Sequence, residues 1–187
     1  MSPKTRQLRR TFLDRSLLYL FSYDAATQPV TNDIGFVPGG LRLDVECIPN
    51  QSRVYHLLRE RTVAALGTPA ISGVVIDGGD AALLREDDVV VSDVRITIRT
   101  DDGALIDSRY RGKFSIGAGG YRRAIGNDKP VGTEKNPLSV SIVVTPRYET
   151  ASAKYRWLTQ YQCIGFGVIS IVKNRQRSVS YDIYAML

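Results

Sequence analysis

Apolar and polar residues alternate most sharply between Val94 and Gly112. Val94, Ile96 and Ile98 are interleaved with Arg95, Thr97 and Arg99, the period of two that gives a strand two unlike faces. Thr100-Asp101-Asp102-Gly103 follows as a turn, and Gly103 can take the positive φ that closes it. Ala104 to Arg111 returns as a second strand. The polar face carries Asp93, Arg95, Thr97 and Arg99 on one strand, and Asp107, Arg109 and Arg111 on the other. So much charge on a strand pair is either a solvated outer face, on which the arginines pair with Asp93 and Asp107, or the lining of a polar barrel interior.

The same alternation predicts strands over Leu17–Tyr23, Leu41–Cys47, Ile71–Ile76, Ala81–Arg85 and Leu138–Thr145, the last stopped by Pro146. Residues 24–40 hold Pro29, Gly35 and Pro38-Gly39-Gly40 and read as a loop with at most a short extended piece. Arg53–Leu66 fits either a short helix or an irregular strand, and Asp77-Gly78-Gly79-Asp80 reads as a turn. Ala118–Gly126 predicts a helical turn and Glu149–Leu158 a loop with a short helix. Gln162–Val172 and Ser178–Tyr184 predict a final hairpin around Asn174. No strand alternates with a long amphipathic helix, which argues against a parallel α/β sheet. The expectation is an antiparallel sandwich or barrel.

The length of 187 residues suits one domain with a real core. The net charge of +6 is lopsided: Lys4, Arg6, Arg9, Arg10 and Arg15 against Asp14 place +4 of it in the first fifteen residues. Residues 1–15 therefore read as a basic flexible tail and 16–187 as the domain. No basic stripe or aromatic platform follows the tail, so no nucleic-acid partner is expected. Cys47 and Cys163 lack metal-ligand spacing and His56 is the single histidine, which leaves a zinc site without ligands. Two free thiols in a reducing compartment are expected, with a disulfide between them as the alternative. The apolar run Leu17–Phe21 is too short to span a bilayer, and no signal-peptide pattern is present. A cytoplasmic protein with no membrane partner is the default.

No nucleophile elbow, P-loop or dinucleotide fingerprint occurs. Gly117-Ala118-Gly119-Gly120 lacks the Lys-Ser/Thr of a nucleotide site and reads as a loop, and His56 reads as filler. Carboxylates, arginines and tyrosines remain, a set suited to proton transfer without a cofactor. A carboxylate in apolar surroundings has its neutral form favoured, which moves its pKa toward a working range. A nearby arginine or tyrosine can stabilise negative charge developing on an enolate or alkoxide. The plainer reading is that Asp80 and Asp101-Asp102 shape turns.

The hairpin, together with Thr145–Leu158 (TPRYETASAKYRWL), resembles the DUF3237 family, also called UPF0311, of small bacterial and fungal β-barrel proteins. Members show a GGADW turn, an LDVRYTLRTDDGALIYVRNRG-like stretch, a TPRFET…Y.WLN segment and a terminal strand pair. Gly78-Gly79-Asp80, Asp93-Val94-Arg95, Thr100–Ile106, Arg109 and Arg111-Gly112 match the first two. Thr145–Thr150, Tyr155, Trp157-Leu158, Gly165-x-Gly167 and Tyr181–Tyr184 match the rest. The likeness covers residues 16–187 and is strongest from Ile71 onward. It departs at Ala81, where the family tryptophan is lost, at Thr159, where it has asparagine, and over 44–70, which looks longer than usual. The lost indole either enlarges a cavity or marks a repacked rim.

The resemblance implies an antiparallel, lipocalin-like barrel of about eight to ten strands with one or two short helices and a central pocket for one small ligand. It also implies a place in secondary metabolism. The resulting expectation is a cofactor-independent isomerase, cyclase or lyase acting on an apolar, oxygenated small molecule by proton transfer. Asp80 or Asp93 would be the acid/base, and Arg109 would stabilise an oxyanion. Arg95, Thr97, Arg111, Tyr148, Glu149, Tyr155 and Trp157 would bind substrate. No metal or other cofactor is called for, and exposed strands admit a homodimer. A non-catalytic carrier barrel is the competing expectation, and a hydrolase using a carboxylate-activated water is a weaker one.

Overall fold

A computed structural model describes residues 17–28, 32–49, 51–55, 69–125, 132–173 and 175–187. The basic tail, His56 and Asn174 lie outside them. The strands are β1 (Leu17–Ala26), β2 (Asn32–Val37), β3 (Gly40–Glu46), β4 (Arg53–Tyr55), β5 (Gly73–Leu84), β6 (Val89–Thr100), β7 (Leu105–Ser115), β8 (Leu138–Val144), β9 (Arg147–Glu149), β10 (Cys163–Val172) and β11 (Arg175–Met186). One short helix, α1 (Gly120–Ile125), and a 3-10 turn at Arg156–Gln160 complete the described elements. All strand pairings are antiparallel. The order β5-β4-β1-β11-β10-β8-β7-β6 returns to β5 and closes an eight-stranded barrel. Strands β2 and β3 extend from β5, and β9 pairs with β7 beyond Pro146. Closure leaves no open sheet edge within the barrel.

The alternation of the hairpin carries straight into burial. Val90, Val94, Ile96 and Ile98 on β6, and Ile106, Tyr110 and Phe114 on β7, are all buried. Asp93, Arg95, Arg99, Arg109 and Arg111 are exposed on the outer face. The interior is filled rather than hollow. The Tyr181 ring lies 5.1 Å from that of Tyr23 and 5.7 Å from that of Tyr110, centre to centre, and the hydroxyls of Tyr23 and Tyr110 are hydrogen-bonded. Gly167 faces the same space. A Cβ there would sit 2.4 Å from the Tyr181 ring, so a missing side chain on β10 makes room for a large one on β11.

Two expected boundaries change. Residues 32–37 form β2, paired with β3 across Pro38-Gly39, although the Gly and Pro content suggested a loop. The stretch from Ile71 to Arg85, expected as two strands around a turn, holds one continuous strand, β5. Gly78 and Gly79 lie inside it, where a Cβ on Gly78 would stand 2.1 Å from the Arg95 carbonyl oxygen and one on Gly79 would stand 2.4 Å from that of Val45. These glycines serve close approach of β6 and β3 to β5, the second use of glycine in strands.

The β6–β7 turn is held from outside. Asp102 accepts hydrogen bonds from Thr100 Oγ1 at 2.5 Å, Lys154 Nζ at 2.6 Å and Tyr155 Oη at 3.1 Å. The Lys154 ammonium, then Thr100, hold its carboxyl well below the usual carboxylate range. A lowered folded pKa stabilises the fold above the unfolded value of about 4 and loses that contribution as pH falls through the folded value. Asp102→Asn is therefore expected to flatten the fall in melting temperature below about pH 4. Thermal melts between pH 5 and pH 2 check this. An unchanged acid slope would remove Asp102 from the account.

Candidate functional site

The site is set by a one-residue bulge in β5. Gly73 and Val75 face inward, opposite Thr100 and Ile98 of β6. The register then slips between Val75 and Asp77, so that Asp77 pairs with Thr97 and Asp80 with Val94. An extra residue exchanges the two faces of everything after it. Asp80 thus stands opposite two inward residues, Val94 of β6 and Val45 of β3, while Asp77 faces out.

On the outer face next to Asp80, β5 presents only Gly79 and Ala81 between long polar side chains. Glu46 of β3, Gly79 and Arg95 of β6 lie in one register row, and Asp44 of β3 pairs with Ala81. Small residues flanked by long ones leave a trough of about 490 Å³ lined by Arg42, Asp44, Glu46, Cys47, Asp77, Asp80, Asp93, Arg95 and Thr97, among others. Ala81 is part of that lining. Asp80 also borders an inner cleft of about 20 Å³ with Thr27, Cys47, Ser92, Tyr23, Tyr110 and Tyr181. The expected central pocket is thus reduced to that cleft because tyrosines fill the lumen, and the larger space lies in the barrel wall.

Asp80 is partly buried and well held. Its Oδ1 accepts the Asp93 amide at 2.9 Å, and the Ser92 hydroxyl also bonds its carboxylate. Desolvation raises its pKa, and the Asp93 charge adds to this. The Ser92 and Asp93 hydrogen bonds and the Arg42 charge oppose the rise. Burial, with the charges of Asp80 and Asp77, pushes the Cys47 thiol up to about 11, so it rests as a thiol rather than a thiolate. Cys47 and Cys163 are both free thiols.

The other expected site residues separate into three places. Asp93, Arg95 and Thr97 line the trough with Asp80. Arg109, Arg111 and Glu149 lie on the adjoining outer surface, around a second hollow that also includes Asp93 and Asp107. There the strand charges pair with one another: Arg111 to Asp93 at 2.9 Å, Arg109 to Asp107 at 2.7 Å and Arg95 to Asp107 at 3.3 Å. Tyr148 is buried in the core with its ring 5.7 Å from that of Phe21. Tyr155 is buried against the Asp102 turn, and Trp157 stacks edge-on with Tyr161. These three aromatics do not line the trough. Arg42, Asp44, Glu46, Cys47, Thr27 and Asp77 do border the trough or cleft, yet the sequence reading left them out of the site. The available signal was the charged alternation of β3, Arg42, Asp44 and Glu46 between Leu41, Leu43 and Val45, which repeats the pattern of the hairpin.

Among the described residues no three His, Cys, Asp or Glu side chains are placed to hold a metal ion. No described helix is long and apolar enough to cross a membrane.

Residues 42–186 match the family model described as a protein of unknown function, DUF3237. The chain belongs to the DUF3237 family. That match takes in the trough residues from Arg42 to Thr97 and leaves out Gln28 and Asn32. The UPF0311 protein RPA1785 of Rhodopseudomonas palustris is 29% identical over 96 residues, 51% of this chain and 60% of that protein. The crystal structure of RPA1785 superposes with a TM-score of 0.68 at 21% identity, covering 92% of this chain and 98% of the other. A protein of unknown function from Clostridium acetobutylicum gives 0.65 at 19% identity, covering 92% and 99%. A protein from Penicillium herquei, described as an enzyme, gives 0.55 at 16% identity, covering 92% and 95%. At these identities the structural likeness shows the shared barrel fold and nothing finer.

Proposed function

We propose that this DUF3237 protein is a cofactor-independent enzyme that moves a proton on an oxygenated small molecule seated in the trough, with Asp80 as the acid/base. The reaction is of the isomerase, cyclase or lyase type. One observation carries the reading: a partly buried carboxyl of raised pKa, held by Ser92 and the Asp93 amide, on the boundary between the open trough and the closed cleft. Asp80 is desolvated between Val45 and Val94, and carboxyls perturbed in this way cluster at sites of proton transfer. The Penicillium protein described as an enzyme shares this barrel, which agrees with a catalytic role.

The step balances without an oxidant or reductant. Asp80 takes a proton from carbon next to a carbonyl, the C–H pair moves toward the carbonyl oxygen, and Asp80 returns the proton to another atom of the same skeleton. Arg95 and Arg42, both in the lining, offset the negative charge while it exists. A carrier barrel would need a lumen, and a space of about 20 Å³ holds about one water-sized group.

Solvent exchange tests this directly. A panel of enolisable ketones, β-dicarbonyls and lactones in D₂O, followed by proton NMR, is expected to show enzyme-dependent loss of α-proton signal for at least one compound class. Exchange that proceeds equally with Asp80→Asn, or no exchange across the panel, would overturn the assignment.

A further inference from the structure

The whole protein carries a net charge of +6, yet the trough does not share it. Five carboxylates, Asp44, Glu46, Asp77, Asp80 and Asp93, line it against two guanidinium groups, Arg42 and Arg95. Pairing takes up part of both sets: Arg42 meets Asp44 at 3.4 Å, Arg95 meets Asp107 outside the trough at 3.3 Å, and Asp93 holds Arg111, also outside it, at 2.9 Å. Asp77 faces outward on β5 opposite Thr97 and has no cationic partner among the described residues. A cleft with an excess of one sign of charge favours ligands of the other sign, whatever the sign of the protein as a whole.

A second feature points to a ligand independently of charge. Thr27 is 95% buried, by its 5% exposure, and its hydroxyl has no hydrogen-bond partner among the described residues. It lines the inner cleft that Asp80, Cys47, Val45 and Gly79 share with the trough. A buried hydroxyl without a partner costs free energy, and a ligand oxygen entering the cleft would remove that cost. At about 20 Å³ the cleft has room for about one oxygen-sized group.

We infer that the substrate is a cationic amino-carbonyl compound. Its carbonyl oxygen enters the cleft toward the Thr27 hydroxyl, its enolisable carbon lies at Asp80, and its ammonium group rests in the trough against Asp77. The inference rests on the trough being the substrate site and adds the charge of the molecule that fills it. The two arginines are consistent with it. Each is partly neutralised by its own carboxylate, so each can offset charge on an enolate without reversing the preference of the trough.

Three probes that share a benzoyl group and differ in charge are compared: phenacylammonium, neutral acetophenone and the anion benzoylformate. Each is titrated at pH 6 into the full chain while backbone amide shifts are followed by NMR. Phenacylammonium is expected to shift the amides of Gly78, Gly79, Asp80 and Arg95 saturably and to bind about fivefold or more tighter than acetophenone, with benzoylformate weakest. Raising the salt from 50 to 500 mM is expected to narrow the difference, because the carboxylates of the trough are in reach of solvent. Asp77→Asn is expected to narrow it as well. Thr27→Val is expected to weaken phenacylammonium and acetophenone together.

Benzoylformate binding as tightly as phenacylammonium, no advantage of the cation over acetophenone, saturable shifts confined to other faces, or no saturable shift with any probe would each overturn the inference. The outcome is separable from the catalytic reading. Asp80→Asn that abolishes α-proton exchange while wild type shows no cation preference would sink the substrate class alone. A cation preference accompanied by undiminished exchange in Asp80→Asn would sink the catalytic role alone.

Discussion

Asp80→Asn is expected to lower turnover by about a hundredfold to ten-thousandfold, the range supplied by a positioned general acid/base. The amide keeps the shape, its oxygen can still accept the Asp93 amide, and the Ser92 hydroxyl can turn to accept from the new NH2, so the fold has little reason to change. The same substitution is expected to raise stability at neutral pH. A carboxyl whose folded pKa is raised prefers its protonated form in the fold. Ionising it costs stability as pH climbs past the unfolded value of about 3.9 toward the folded one, and that cost stays in place above both. The amide never ionises and never meets the Asp93 charge as an anion. Turnover measured against melting temperature at pH 7 therefore separates the roles. An acid/base gives loss of rate with equal or higher stability, whereas a structural aspartate gives loss of both.

Gly78→Ala is expected to destabilise the barrel by about 3 kcal/mol or more. Two costs combine at this position. Its φ of +115° lies where side chains are strained, and the added Cβ would meet the Arg95 carbonyl oxygen at 2.1 Å. Neither β5 nor β6 can retreat easily, because they pair along most of their lengths and close the barrel. Gly103→Ala is the matched control. Its φ is +87°, but nothing lies within 4 Å of an added Cβ, so only the backbone strain of about 1 kcal/mol remains. Urea melts of the two variants are expected to differ by about 2 kcal/mol or more in that order. Equal losses would show that close strand approach at Gly78 carries no weight.

These two positions also show what could and could not be read from the chain. The β6–β7 hairpin was legible because its alternation is unbroken and one face is fully buried, which fixes register strongly. Its charge was legible as well, but the direction of that charge was not. Period two says that two faces differ, and only closure of the barrel decides which one is inside. Around Gly78 the composition of a turn misled, since Asp-Gly-Gly-Asp suits a turn and suits equally a strand squeezed between two neighbours. The bulge before Asp77 leaves no mark in the hydrophobic pattern, yet it alone carries Asp80 to the inner face. Asp80, Asp93, Arg95 and Thr97 came together in the trough because all four lie on paired stretches of β5 and β6. The β3 wall and Thr27 join them through pairings between segments far apart in sequence, which no local pattern encodes.

The proposed acid/base role of Asp80 requires a carboxyl whose pKa the fold raises. Carbon-detected NMR of the side-chain carboxyl groups, titrated from pH 2 to pH 8 in the wild-type protein, reads this without any substrate. Asp80 is expected to titrate clearly above the ordinary aspartate value of about 3.9. A midpoint at or below that value would contradict it.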